Sequence, residues 1–162
     1  MPNLPENEKT VVTGEDIRQY KPGDKLKTKI DDYIRENLGV DGELVELIEI
    51  PNQSYADQVM MAQELATARF WDDANTPRSR VTQRTPTGSK TTEYCPAFIT
   101  QLELTGKKDG AQPKPHIAIQ KRNIAKPHEF RQARNYLLEQ TNKILSTFEK
   151  PQLILKDPSE LQ

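Results

Sequence analysis

Twelve prolines partition this sequence, and none falls inside a stretch with helical periodicity. Proline breaks a helix interior and removes a ladder donor from a strand, so it marks where elements start, stop or lie at an edge. Pro51 closes the run GELVELIEI, Pro127 stands where a first helical residue belongs, and Pro151 ends the segment that follows it. Pro2, Pro5, Pro22, Gly14 and Gly23 leave residues 1–23 with Val11, Val12 and Ile17 as a short apolar group, which reads as an extended arm.

Between these marks the apolar pattern predicts an α+β fold. In residues 24–38, Leu26, Ile30, Tyr33, Ile34 and Leu38 fall on one helical stripe, with Asp24 as cap and Gly39 as stop. Residues 44–50 are short and apolar and read as a strand, with a helical turn as the alternative. A second helix is expected over 55–73, opened by Ser54 and Asp57 at capping-box spacing. Val59, Ala62, Ala66 and Phe70 form its stripe, and Met61, Leu65 and Ala68 would widen it for packing on more than one neighbour. Phe98, Leu102 and Leu104 alternate with polar residues, and Ile117 and Ile119 do the same, so residues 97–121 read as a hairpin with a long loop. Phe130, Ala133, Leu137, Thr141, Ile144 and Phe148 trace a last helix over 128–149. The expected architecture is a small antiparallel sheet packed by three helices. It spans 24–150 as a single domain, with an arm at 1–23 and a tail at 151–162 containing the apolar run Leu153 to Leu155.

Only 34% of the residues are hydrophobic and 29% are charged, which implies a core smaller than the chain. No apolar run approaches the length of a membrane span, so no membrane partner is expected. The opening MPNLPENEKT lacks the basic and apolar regions of a secretory leader. Cys95 is the single cysteine, which excludes an internal disulfide framework and fits a reducing cytoplasm, or a virion if the gene is a phage's.

Few residues are arranged for chemistry. Cys95 and His116 would make a nucleophile–base pair only if the hairpin brought them together. His116 and His128 are the only histidines, and no metal-ligand spacing is present. Paired acids such as Asp31 and Asp32 read as solvated helix faces. TPTGSKT lacks the upstream glycine and the following helix of a phosphate loop. No catalytic residue, metal or cofactor is expected.

The segment PRSRVTQRTPTGSK, residues 77–90, stands apart. Four of the chain's 23 lysines and arginines fall here and none of its 24 acids, leaving the rest of the chain net acidic. Arg78, Arg80, Arg84 and Lys90, set among Ser, Thr and Gln, suit contact with phosphates or with an acidic protein. Lys107, Lys108, Lys121 and Arg122 would extend this set if the hairpin stood beside the segment. The plainer alternative is a solvated loop whose charges pair with acidic helices elsewhere. Taken together, the sequence suggests a non-catalytic assembly subunit, such as a small structural or connector protein of a phage particle or another multi-subunit complex. Its partners would be other protein subunits, in a homo-oligomer or a larger complex. A nucleic-acid-binding accessory protein using residues 78–90 and the hairpin is the alternative.

Overall fold

The computed structural model describes residues 11–12, 25–105 and 113–148. It has three helices and two small antiparallel sheets, an α+β fold. The elements are β1 (Val11–Val12), α1 (Lys25–Leu38), β2 (Gly42–Glu49), α2 (Gln53–Asp72), β3 (Ser79–Thr85), β4 (Gly88–Tyr94), β5 (Ala97–Thr105), β6 (Pro113–Arg122) and α3 (Pro127–Thr147). The main sheet runs β5–β6–β2 with both neighbouring pairs antiparallel, and Val11–Val12 lie parallel to Glu103–Leu104 on its outer edge. Apart from that two-residue pair, the sequence-based arm at 1–23 lies outside the described residues, as do the tail at 151–162, the cap at Asp24, and Lys107 and Lys108.

The sheet is buried on both faces. Ala97, Ile99, Ile117 and Ile119 point to α2 and α3, meeting Val59, Ala62, Ala66, Phe70, Ala133, Leu137 and Leu138. Leu102, Leu104 and Ala118 point the other way, to Leu26, Ile30 and Ile34 of α1. The period-2 alternation of β5 and β6 thus feeds two cores. Alanines on the buried stripe of α2 let the helix lie close to its neighbours.

Several local readings need correction. Asn52, not Ser54, caps α2: its Oδ1 accepts the Tyr55 N–H at 2.8 Å. That places the helix start two residues earlier and puts Ser54 within the first turn. Met61 and Leu65 do not widen the packed stripe. They are 46% and 47% exposed, because α3 and the sheet both sit on the opposite side of α2. Asp31 is not a solvated carboxylate. Its Oδ1 accepts the Leu44 N–H at 2.8 Å and the Gln120 side-chain amide at 2.9 Å, so it pins α1 to β2 and β6 beside a register shift between Leu44 and Glu46.

The largest difference lies at residues 78–90. They are not an extended loop but most of a second hairpin, β3–β4, paired in register from Ser79↔Tyr94 to Thr85↔Gly88. Pro86 and Thr87 form its two-residue turn, and Gly88 closes it at φ +144°, a conformation open to glycine and costly for other residues.

Candidate interaction arm

The β3–β4 hairpin stands out from the body. From Arg80 to Glu93 every residue is exposed or half-buried, on both faces of the ribbon. An isolated two-stranded hairpin is marginal in water, so its footing has to fix it. The footing is built by three contacts. Arg78 sends Nη2 to the carbonyl oxygens of Phe70 (3.3 Å), Trp71 (3.0 Å) and Asp73 (3.1 Å). These carbonyls close the C-terminus of α2, where Thr76 also donates to those of Phe70 and Asp73, and a guanidinium suits the negative end of the helix in both geometry and charge. Its plane also lies over the Trp71 ring, 4.9 Å from the centroid. Ser79 Oγ donates to Glu129 Oε1 at 3.2 Å, and the same oxygen accepts the Lys126 N–H at 2.9 Å, so the arm and the start of α3 share one carboxylate. Arg122 Nε donates to the Cys95 carbonyl at 2.8 Å, with its guanidinium over the Tyr94 and Phe98 rings.

These contacts commit two of the candidate contact residues, Arg78 and Arg122, to the footing. Arg78 and Arg122 are structural clamps. Arg80 pairs with Glu93 at 2.8 Å, and Arg78 Nη1 lies 3.7 Å from the same carboxylate. The acid that follows the acid-free stretch is thus folded back onto it by the hairpin register, so these two charges meet an acid of their own ribbon and not one on a helix elsewhere. Lys121 is half-buried and bonds its neighbour's carbonyl. Arg84 and Lys90 alone of the four arm cations are exposed with no partner among the described residues. Arg84 pairs across the ribbon with Ser89, and Lys90 with Gln83, which puts the two cations on opposite faces near the tip. Between tip and base, Thr82 and Thr91 join hydroxyls at 2.9 Å.

The clamp overturns an expectation the sequence invites, that Arg78 is a surface charge of little structural weight. Arg78→Gln should lower stability by about 1–3 kcal/mol, since three helix-end carbonyls lose a charged donor. Arg84→Gln should stay within about 0.5 kcal/mol. Urea titrations of both variants give the comparison, and equal small effects would mean the clamp is dispensable.

A groove of about 350 Å³ opens between α2 and the arm's footing, lined among others by Glu64, Trp71, Tyr94, Cys95, Phe98 and Arg122. Cys95 is its nucleophile in principle. Burial pushes the thiol up to about 11, against the opposing pull of the Ala97 N–H and the Arg122 and Arg78 charges. His116 cannot serve it. Ala97, two residues after Cys95, pairs with Lys121, whereas His116 pairs with Leu102, five residues further along the strand and about 17 Å away at about 3.4 Å per residue. Burial lowers the His116 pKa, and its Nδ1 lies 3.0 Å from the Lys114 carbonyl. At about pH 8, where an ordinary free thiol is partly ionised, folded protein should resist aromatic disulfide reagents and react fully once denatured. Rapid labelling of the native state would show that Cys95 is accessible. No group of three or more metal-ligating side chains gathers among the described residues, and no described helix is long and apolar enough to cross a membrane.

Comparison with protein-family models, with curated proteins and with solved structures gives no match.

Proposed function

We propose that this protein is a non-catalytic assembly subunit that reaches its partner through the β3–β4 arm. One observation carries the reading: a ribbon exposed on both faces is fixed at its base by Arg78, Ser79 and Arg122 to two helices and the main sheet. A segment with no fully buried residue between Arg80 and Glu93 contributes little to folding. Anchoring it this firmly orients it for contact with another molecule. Arg80 and Arg78 share the Glu93 carboxylate at the base, so the arm cations without a partner among the described residues sit at the tip, where another molecule would meet them. A small structural or connector protein of a phage particle is one setting for such a subunit.

Solution mass and gel-shift assays test this. An oligomer, or a stable complex with another subunit, that leaves random DNA and RNA unshifted supports the assembly reading. A monomer that shifts nucleic acid at low salt and releases it at moderate salt would replace it with the accessory-protein reading.

A further inference from the structure

We infer that the arm of one copy docks on the outer face of α2 of a second copy, head to tail; this rests on the assembly reading above and names its partner. The face is formed by residues three and four apart on α2: Asp57, Met61, Glu64, Leu65, Ala68 and Asp72. All six are exposed. Met61 and Leu65 give the stripe an apolar centre, and three acids rim it, with no ion pair recorded to any of them among the described residues. Arg69, on its flank, is turned aside to Gln140 at 2.7 Å.

The arm has the opposite character. Its outer half presents Arg84 and Lys90 among threonines, and its single acid, Glu93, lies at the base and is held by two arginines. Each face of the ribbon carries threonine methyls that offer a flat apolar surface to Met61 and Leu65, and one free cation for the acidic rim: Arg84 beside Thr82 and Thr91, Lys90 beside Thr85 and Thr92. The dimensions agree. Seven residues of β3 extend about 24 Å, and the helix rises about 22 Å between Asp57 and Asp72. Charge and shape therefore complement each other between two different surfaces of one chain. A contact of that kind is heterologous, so each copy can give an arm and receive one, and the assembly closes into a ring or grows into a filament. Among the described residues a phosphate backbone would meet one free cation on each face of the arm, in a chain of net charge −1, whereas a protein face with an apolar centre also uses the threonine methyls, which favours the protein partner.

Two variants of the full chain test the pairing. Arg84→Glu with Lys90→Glu removes the arm's complementarity. Met61→Ser with Leu65→Ser removes the seat. All four positions are exposed, and thermal unfolding checks that each variant folds. Light scattering across the micromolar-to-millimolar range should show the unchanged protein associating more weakly as salt rises. Each variant alone should associate at least about tenfold more weakly. An equimolar mixture of the two should recover association, because the intact arm of one meets the intact seat of the other. Loss in both variants without recovery on mixing would overturn the head-to-tail arrangement. Oligomers unaffected by either change would overturn the inference and leave the assembly reading standing. A protein monomeric at every concentration would overturn self-docking and leave the arm to a different subunit. A salt-sensitive nucleic-acid complex lost in the arm variant would overturn both.

Discussion

Arg134→Met is expected to lower unfolding free energy by about 3–5 kcal/mol, among the largest losses any single change in this chain should produce. Arg134 of α3 and Glu46 of β2 form an ion pair in the layer between the sheet and the helices, with both side chains 2% exposed. Arg134 Nη2 and Nε both donate to Glu46 Oε1, at 2.8 and 3.2 Å, and Nη1 donates to Asn135 Oδ1 at 2.9 Å. Taking two charges out of water is costly, and the pair's mutual attraction largely offsets that cost. Removing the cation leaves a carboxylate buried without its counter-charge, which is the expensive case. A domain's whole stability is commonly about 5–15 kcal/mol, so the variant should sit close to its unfolding threshold. The double change Glu46→Leu, Arg134→Met removes both charges and keeps most of the volume, and it should recover most of the loss. Urea titration with an unchanged slope measures each. If the single and double variants were equally destabilised, packing around Arg134, not the stranded charge, would be the cause.

That pair also shows where sequence stops short. The run GELVELIEI reads as a strand from its length and its terminal proline, and it is one. Its Glu43, Glu46 and Glu49 look like a uniform polar set. The register shift between Leu44 and Glu46 moves the alternation, so Glu46 faces α3 beside Ile48 while Leu44 and Leu47 face α1. A bulge leaves no mark in composition. The helices and the β5–β6 hairpin were legible because each carries apolar residues at its own period and a proline or glycine at its end; Gly39, at φ +72°, closes α1. The β3–β4 arm was not, because a ribbon wet on both faces has no apolar side to alternate. The available signal was weaker: β-branched Val81, Thr82, Thr85, Thr91 and Thr92 on either side of a Pro-Thr-Gly turn. The same blindness affected its charges. Sequence locates Arg78 and Arg80 in an acid-free stretch, but only the register brings Glu93 to them.

Phe70→Ala should cost about 3–5 kcal/mol through the cavity it leaves, and its second consequence matters more for function. Phe70 is fully buried at the C-terminal end of α2. Its ring meets Trp71 edge-on at 5.3 Å and Tyr136 of α3 at 5.9 Å, and the Arg78 guanidinium lies 5.9 Å from its centroid. Its carbonyl accepts from Thr76 Oγ1 at 2.9 Å and from Arg78. One residue thus joins the helix pair to the footing of the arm. Phe70→Leu, which keeps much of the volume and loses the ring contacts worth about 0.5–1.5 kcal/mol, should be far milder. A double-mutant cycle between Phe70→Leu and Arg78→Gln should show coupling of about 0.5 kcal/mol or more, since the two side chains share a contact. Hydrogen exchange separates the arm from the core. If Phe70 fixes the footing, the paired amides at the base of β3 and β4 should lose more protection in Phe70→Ala than the drop in global stability accounts for. Protection falling there only in step with the global loss would mean the arm is held by Ser79 and Arg122 without help from the core. Its orientation would then survive any core change that leaves the protein folded.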